Sequence, residues 1–458
     1  MDTIAAIATP LARSAFGIIR ISGDRALEVL DKLFTPVNGK PVAEARPRSL
    51  VYGSVKDAQG RVIDHPLAVW FAPGRSYTGD TDAEIHCHGS PVVLGEVLAA
   101  AFAAGARQAL PGEFAKRAFL NGKLDLTEAE AIVDLVDAET AEAARNAAGQ
   151  VDGALRRLAE QAYNTLLDIA SRFYAVVDYP DEDIEDASPT ETEAALSETQ
   201  TALSRLLATY DRGKIMKSGV AAAIIGAPNA GKSSLLNRLV GYDRAIVTDI
   251  AGTTRDTVEE KALVGGVLLR LIDTAGLRET ADAVERLGVE RSRRAVAGAD
   301  LILAVADGSR DLAEEDRETL RLAAESGKPW LLVTTKRDLR AAAHGFGAAE
   351  AESRPAAVLS VSNVTEEGFE ELEAAVAALF PAPPAQTDTL LTNARQAEAV
   401  KRALDAVTAA LDALRGGMTP DVVLTETEAA SAALGELTGR TAREDMVQRI
   451  FERFCVGK

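Results

Sequence analysis

The spacing of apolar positions along the chain changes twice, and each change predicts a change of architecture. From residue 1 to about 121, short apolar runs such as "GIIRISG" (17–23) and "PLAVWFAP" (66–73) read as strands. Turn signals at Asn38-Gly39 and Pro73-Gly74 separate them, which makes this stretch mixed α/β. From Leu126 the period becomes helical, with Ile132, Val133 and Val136 on one face and Thr127 with Glu130 as the expected capping box. An Ala-, Leu- and Glu-rich helical stretch then runs to about Tyr179, where "DYPDEDIED" ends it. A further helix is expected around Leu196 to Tyr210, leading into "DRGKIMKSG".

From residue 219 to about 380 the pattern alternates. The apolar run "VAAAIIG" reads as a buried strand. "KALVGGVLLRLIDTAG" reads as two runs joined at Gly265-Gly266, and "ADLILAVAD", "KPWLLVTTKRD" and "AAVLSVS" follow with helical segments between them. That is the pattern of a mostly parallel sheet covered by helices. "FPAPPAQTD" punctuates, and Asn393 to Phe454 is helical again. The expected fold class is therefore α/β plus all-α. Residues 1–121 form an α+β N-terminal domain, and 122–217 and 381–458 form the two parts of a helical domain split in sequence. Residues 218–380 form an α/β domain with a mostly parallel sheet, inserted between those parts.

Composition narrows the class without changing this picture. The chain has 458 residues, 47% apolar and 26% charged, as expected of a soluble globular protein of two or three domains. No apolar run approaches the length of a spanning helix, so no membrane association is expected. The first residues carry no basic cluster of the kind that opens a signal peptide, and the final Cys455-Val456-Gly457-Lys458 is a poor prenylation box. With only Cys87 and Cys455, the expected setting is a reducing cytoplasm. The net charge of −19 disfavours gripping nucleic acid by bulk electrostatics. Charge is uneven, however: 178–198 holds nine acids and no Lys or Arg, whereas 439–458 holds five basic residues against three acidic ones. Contact with RNA is expected to be local or shared with a partner.

Chemistry enters at "GAPNAGKS". Gly226 to Ser233 fits GxxxxGK[ST] directly after a strand and before an apolar helix. The glycines let backbone N–H groups close on phosphates, Lys232 neutralises the β- and γ-oxygens, and Ser233 serves Mg²⁺. Asn229, Ala230, Gly231 and Ser234 complete the loop. The other expected elements of a GTPase follow in order. Thr248, Asp249, Ile250, Ala251, Gly252, Thr253 and Thr254 form a segment able to close on Mg²⁺ when the γ-phosphate is present. Asp273, Thr274, Ala275 and Gly276 end a strand near the metal and the γ-phosphate. Thr335, Lys336 and Asp338 end another, where Asp338 accepts hydrogen bonds from N1 and the 2-amino group of guanine. Ser362 and Asn363 supply a base-contacting loop. The usual base motif is NKxD, so Thr335 is a departure.

Leu277, which follows the DxxG turn, cannot orient an attacking water. Three substitutes are open on physical grounds. They are an arginine (Arg255, Arg278 or one from a partner), a carboxylate (Glu279 or Glu285), and a monovalent cation held by the Asn229 side-chain carbonyl. His86-Cys87-His88 looks like a metal motif, but no second ligand pair accompanies it, and no metal is expected there.

Several further segments carry a specific resemblance: "IATPLARSAFGIIRISG" (7–23), "PGEFAKRAFLNGKLDL" (111–126), "TNARQ" (392–396) and the terminal "RIFERFCVGK". With the GTPase motifs and the domain order, the whole chain resembles the MnmE (also called TrmE) family of tRNA-modification GTPases. The resemblance implies a homodimer formed through a tetrahydrofolate-binding N-terminal domain. It also implies a heterotetramer with an FAD-dependent MnmG-like protein, and modification of C5 of the wobble uridine of certain tRNAs with a carbon from 5-formyl- or methylene-tetrahydrofolate. Further, it implies that K⁺ replaces the arginine finger, ligated by Asn229 and the backbone carbonyls of Thr248, Ile250 and Thr253. Mg²⁺ is served by Ser233 and Thr254, Glu285 orients water, and Arg20, Glu84, Lys123 and Lys458 contact the folate. A ribosome-assembly GTPase and a nucleotide-dependent dimerisation scaffold are the alternatives, although the GXXG loop of an RNA-binding KH module is not found here.

Overall fold

The computed structural model describes residues 2–178, 188–242, 260–272, 285–339, 354–381, 390–441, 444–452 and 454–457. They divide into two compact units, residues 1–137, 145–208 and 394–458 in one and 138–144 with 209–393 in the other.

The first unit begins with a sheet built from β1 (Ile4–Ile7), β2 (Phe16–Ser22), β3 (Phe34–Pro36), β4 (Val51–Lys56), β6 (Leu67–Phe71), β7 (Asp82–His88) and β8 (Arg107–Gln108), in the order β3-β4-β6-β7-β2-β1-β8. The short β5 (Val62–Asp64) pairs with β4. Ile19, Ile21, Ala83 and Ile85 are buried on the face covered by α1 (Ala26–Leu33) and α2 (Pro91–Ala103), which contribute Val29, Leu30, Leu94 and Val97. The opposite register positions Arg20 and Glu84 lie directly across from one another on β2 and β7. Helix α3 (Glu113–Leu120) follows β8.

Four helices come next: α4 (Leu126–Val136), α5 (Ala141–Val151), α6 (Ala154–Asp178) and α7 (Pro189–Leu207). The capping box of α4 lies two residues earlier than the sequence pattern predicts. Asp125 accepts from Glu128 N at 2.8 Å, and Glu128 Oε2 accepts from Asp125 N at 2.8 Å. Thr127 instead donates to Asp125 Oδ1, and Glu130 is buried and bound elsewhere. Helix α7 also starts seven residues before the expected Leu196, because Pro189 at its first position suits a helix start and Glu191 in the first turn favours the helix N-terminus.

Burial pushes the Asp125 carboxyl up to about 6, against its ordinary 3.8, outweighing the hydrogen bonds from Glu128 and Thr127. A carboxyl raised in the folded state loses stability as pH climbs from 3.8 to 6, because the unfolded chain ionises first. Relative to an Asp125→Asn variant, the wild type is therefore expected to gain about 1.4 kcal/mol between pH 7 and pH 5. Urea unfolding of both proteins at the two pH values checks this.

The second unit contains α8 (Tyr210–Ser218), a helix where the sequence pattern showed only a lead-in, and then a six-stranded sheet. Its strands are β9 (Val220–Gly226), β10 (Glu260–Val264), β11 (Val267–Ile272), β12 (Leu301–Asp307), β13 (Trp330–Thr335) and β14 (Ala357–Ser360), in the order β10-β11-β9-β12-β13-β14. Only β10 and β11 are antiparallel, joined at Gly265-Gly266. The helices are α9 (Lys232–Tyr242), α10 (Glu285–Gly298), α11 (Glu314–Glu325) and α12 (Phe369–Leu379). Strands β9, β12 and β13 are apolar almost throughout because both faces are covered, with Leu235, Leu303 and Phe369 in one core and Val296, Ala304 and Leu320 in the other. This is the mostly parallel α/β domain expected of the inserted segment.

The chain returns to the first unit with α13 (Ala394–Arg415), α14 (Pro420–Thr438) and α15 (Glu444–Phe451). Helix α13 packs on α14 and α7, and α14 on α6, so the two sequence-distant helical segments share one bundle. Its polar centre is Glu130, which takes Arg395 Nε and Nη2 in a two-pronged pair at 2.8 Å each and Gln396 Nε2 at 2.9 Å. Arg395 also donates to the carbonyls of Glu436 and Leu437 near the end of α14. A planar five-donor fork is the side chain suited to joining a carboxylate and a helix terminus at once. No helix among the described residues is long and apolar enough to cross a membrane.

Candidate nucleotide and cofactor sites

Strand β9 lies between β11 and β12 in the sheet, and Gly226 at its end opposes Val305. A Cβ on Gly226 would stand 2.3 Å from Val305 O, so glycine is required by close approach there. The loop that follows places Asn229 in the left-handed region, at φ 61°, and Gly231 at φ 94°. Helix α9 then begins with Lys232, and Ser233 and Ser234 are exposed in its first turn. A helix start preceded by such a loop presents unpaired backbone N–H groups, the natural cradle for phosphate. The Lys232 ammonium folds back over the loop, donating to Gly226 O at 2.8 Å and Ala227 O at 2.7 Å. Burial lowers its pKa.

The turn expected to read the base follows β13, two strands away. Thr335 is fully buried, and its hydroxyl donates to Ala230 O at 2.7 Å, with Ala306 O at 3.3 Å. The departure from Asn at this position thus has a structural consequence the sequence did not disclose: Thr335 ties the turn after β13 to the phosphate loop and is itself packed away from solvent. Thr335→Val keeps the shape but leaves the Ala230 carbonyl without its donor, and is expected to weaken GTP and GDP binding about tenfold. Preference for guanine over adenine nucleotides should persist, since Asp338 is untouched; competition binding with both checks the two parts separately.

Lys336 occupies the left-handed region at φ 60°, with Nζ 2.5 Å from Asp307 Oδ2. Asp338 is exposed and oriented by Ser362, whose hydroxyl donates to Asp338 Oδ1 at 2.7 Å and accepts from Val364 N and Thr365 N. Asn363 Oδ1 is buried and without a partner among the described residues, an acceptor free for a ligand donor. Phosphate loop, base-reading turn and Ser362-Asn363 therefore all emerge at the C-terminal ends of parallel strands, where open α/β sheets bind nucleotides.

Thr248, Asp249, Ile250, Ala251, Gly252, Thr253, Thr254, Asp273, Thr274, Ala275 and Gly276 lie outside the described residues, as do Arg255, Leu277, Arg278 and Glu279. Glu285 is the first residue of α10.

The N-terminal residues form a second cluster. Arg20 donates to Glu84 Oε1 through Nε at 3.1 Å, and its Nη2 stands 3.0 Å from the same oxygen. His86 Nε2 is 3.2 Å from Glu84 Oε2. Burial works against the Glu84 carboxylate, but His86 and Arg20 outweigh it and hold its pKa below the ordinary value. The Arg20 guanidinium also lies over the rings of Tyr77 and Phe114, at 5.2 and 5.8 Å, two contacts the sequence reading missed because they depend on strand register and loop placement. Lys123 does not meet Arg20 directly. It donates to Gly74 O at 3.0 Å and so braces the Gly74–Gly79 loop that carries Tyr77. The C-terminal tail crosses this domain: Gly112 N donates to Cys455 O, and Gly457, at φ 102°, sits so close to β1 that a Cβ would stand 2.3 Å from Ile7 O. Lys458 lies outside the described residues. His88 points to a different carboxylate from His86, with Nδ1 2.7 Å from Asp64.

Comparison with known proteins agrees over the full length. A family model described as "MnmE helical domain" matches residues 126–455, and one described as "GTP-binding protein TrmE N-terminus" matches residues 3–123. The tRNA modification GTPase MnmE of Roseiflexus sp. (strain RS-1) is 44% identical over 465 residues, spanning 100% of this chain and 99% of its own length. The protein of the same description from Symbiobacterium thermophilum is 43% identical over 457 residues, spanning 100% and 99%. A crystal structure of a GTP-binding protein from Sulfolobus solfataricus in complex with GDP aligns at 17% identity with a TM-score of 0.26, covering 48% of this chain and 66% of that one, too distant a likeness to carry any argument.

Proposed function

The chain belongs to the MnmE family of tRNA modification GTPases, and from that premise we propose that it works with an FAD-containing, MnmG-like partner on C5 of the wobble uridine of certain tRNAs. It is a GTP hydrolase acting in tRNA modification. In the proposed reaction a one-carbon tetrahydrofolate, the 5-formyl or methylene form, donates the carbon that becomes part of an aminomethyl-type group. GTP hydrolysis drives a conformational cycle of a cytoplasmic homodimer rather than the carbon chemistry. The observation that carries this reading is the full-length match, which includes the N-terminal domain as well as the GTPase motifs.

The geometry supports definite roles for the chain's own residues. Lys232 is already turned over the phosphate loop, where its charge meets the β- and γ-oxygens. Asp338, oriented by Ser362, reads the guanine edge, and Glu285 at the start of α10 orients the attacking water that Leu277 cannot. Asn229 is exposed in the loop with its short carbonyl side chain, an oxygen donor of the kind K⁺ takes, and Ser233 offers a hydroxyl of the kind Mg²⁺ takes. In this proposal Asn229 with the carbonyls of Thr248, Ile250 and Thr253 holds K⁺, while Ser233 and Thr254 hold Mg²⁺. Bound there, the cations supply fixed positive charge against the charge that builds on the phosphates. At the N-terminal site, Glu84 suits the amino and ring N–H groups of a pterin. Arg20, flanked by Tyr77 and Phe114, offers an aromatic-lined cation beside it. Lys123 and Lys458 complete the proposed folate contacts.

Mass analysis of tRNA nucleosides from cells lacking the protein tests the proposal. Loss of the C5 substituent is expected; unchanged wobble uridine would sink it.

A further inference from the structure

We infer that Asp307 is a positioning residue for guanine-nucleotide binding: its carboxylate holds Lys336, and with it the base-reading turn, in place before the nucleotide arrives. The inference rests on Thr335–Asp338 being that turn.

Three observations converge on it. First, β12 and β13 are parallel and register Asp307 against Thr335. The carboxylate therefore stands at the end of β12, the strand that opposes Gly226, beside the end of β13 from which the base-reading turn leaves. Second, the carboxylate is mostly buried and its oxygens are committed. Oδ1 accepts from Ser309 N at 3.0 Å and Ser309 Oγ at 2.6 Å, leaving Oδ2 to Lys336 Nζ. Burial opposes its ionisation, but Lys336 and Ser309 outweigh burial and keep it charged. Third, the turn it holds is strained. Lys336 lies in the left-handed region, which disfavours any residue with a Cβ. Gly308 N closes the strand ends by donating to Thr335 O, and a Cβ on Gly308 would stand 2.8 Å from that same oxygen.

A strained turn persists only where its surroundings over-determine it. Here Thr335 is fixed to the phosphate loop, Asp338 is fixed by Ser362, and Lys336 between them has Asp307 as its ion-pair partner. Exposed pairs such as Arg25–Glu28 contribute little, but a carboxylate locked by two further donors orders a long side chain with little additional cost. Releasing Lys336 means that nucleotide binding must reorder it, which weakens affinity while leaving the phosphate chemistry intact.

The test is equilibrium and stopped-flow binding of fluorescent GDP to the full-length protein, which requires neither turnover nor tRNA. Asp307→Asn is expected to raise the Kd for GDP about tenfold, mainly through faster release, with kcat at saturating GTP within about twofold of wild type. Lys336→Met should also raise the Kd for GDP, and adding Asp307→Asn to it should cost nothing further, because both changes break one unit. Ser309→Ala, which only loosens the carboxylate, should give a smaller loss of about threefold. Unchanged GDP affinity in Asp307→Asn and Ser309→Ala would overturn the inference, as would losses that multiply in the double variant. Asp338→Asn separates this from the underlying reading: if it leaves GDP affinity unchanged, the turn does not read guanine and the assignment of the site itself has failed.

Discussion

Replacing Lys232 with Met is expected to reduce GTP turnover by about 10²–10³-fold and to weaken binding of GTP more than binding of GDP. The ammonium is shared by Gly226 O and Ala227 O, two backbone acceptors at the mouth of the phosphate loop. Such carbonyls are weaker partners than a triphosphate, and burial lowers the lysine's pKa, so the charge is poised to transfer to a better acceptor. Methionine retains much of the volume but supplies no charge to the oxygens between the β- and γ-phosphates. The fold should survive, because a loop carbonyl freed of the lysine can turn to water. Steady-state turnover and binding of both nucleotides, measured side by side, check the prediction; turnover within threefold of wild type would remove Lys232 from the site.

Glu285→Ala is expected to lower kcat by about 10²-fold while leaving GTP and GDP affinity nearly unchanged. A residue that touches only the attacking water acts after the nucleotide has bound, so its loss separates kcat from Kd. Helix α10, which begins at Glu285, is held by Ala295 and Val296 in the core on one side of the sheet. Single-turnover hydrolysis at saturating GTP gives the chemical step directly. An unchanged rate would return the water to Glu279 or to an arginine such as Arg255 or Arg278.

Much of the fold was legible because buried parallel strands write themselves as continuous apolar runs. "VAAAIIG", "LILAVAD" and "WLLVTT" are strands for their whole length, and the Gly265-Gly266 hairpin stood out as a break between two such runs. Local signals were less decisive where two frames overlapped. Asp125 and Glu128 form the same spacing as Thr127 and Glu130, and tertiary contact chose between them: Glu130 was needed by Arg395, 265 residues away. The same limit hid Asp307. Nothing in "AVADGS" announces a partner for Lys336; the pairing exists because β12 and β13 are neighbours in the sheet. Motif chemistry singled out Lys232, now at the start of α9, and Asp338, now in a turn, but gave nothing of what holds them. Thr335, flagged only as an exception to a pattern, proved to be the link between the two. At the N-terminal site only the antiparallel register of β2 and β7 makes Arg20 and Glu84 a pair.

The most direct test of the proposed hydrolytic mechanism is GTP turnover by the purified protein in KCl and NaCl at matched ionic strength, with wild type and Asn229→Ala measured together. A large gain specific to potassium, abolished by Asn229→Ala, is the predicted result and assigns the stabilising positive charge of the transition state to the cation. Equal rates in the two salts would contradict it and return the transition-state charge to an arginine of this chain or of its partner.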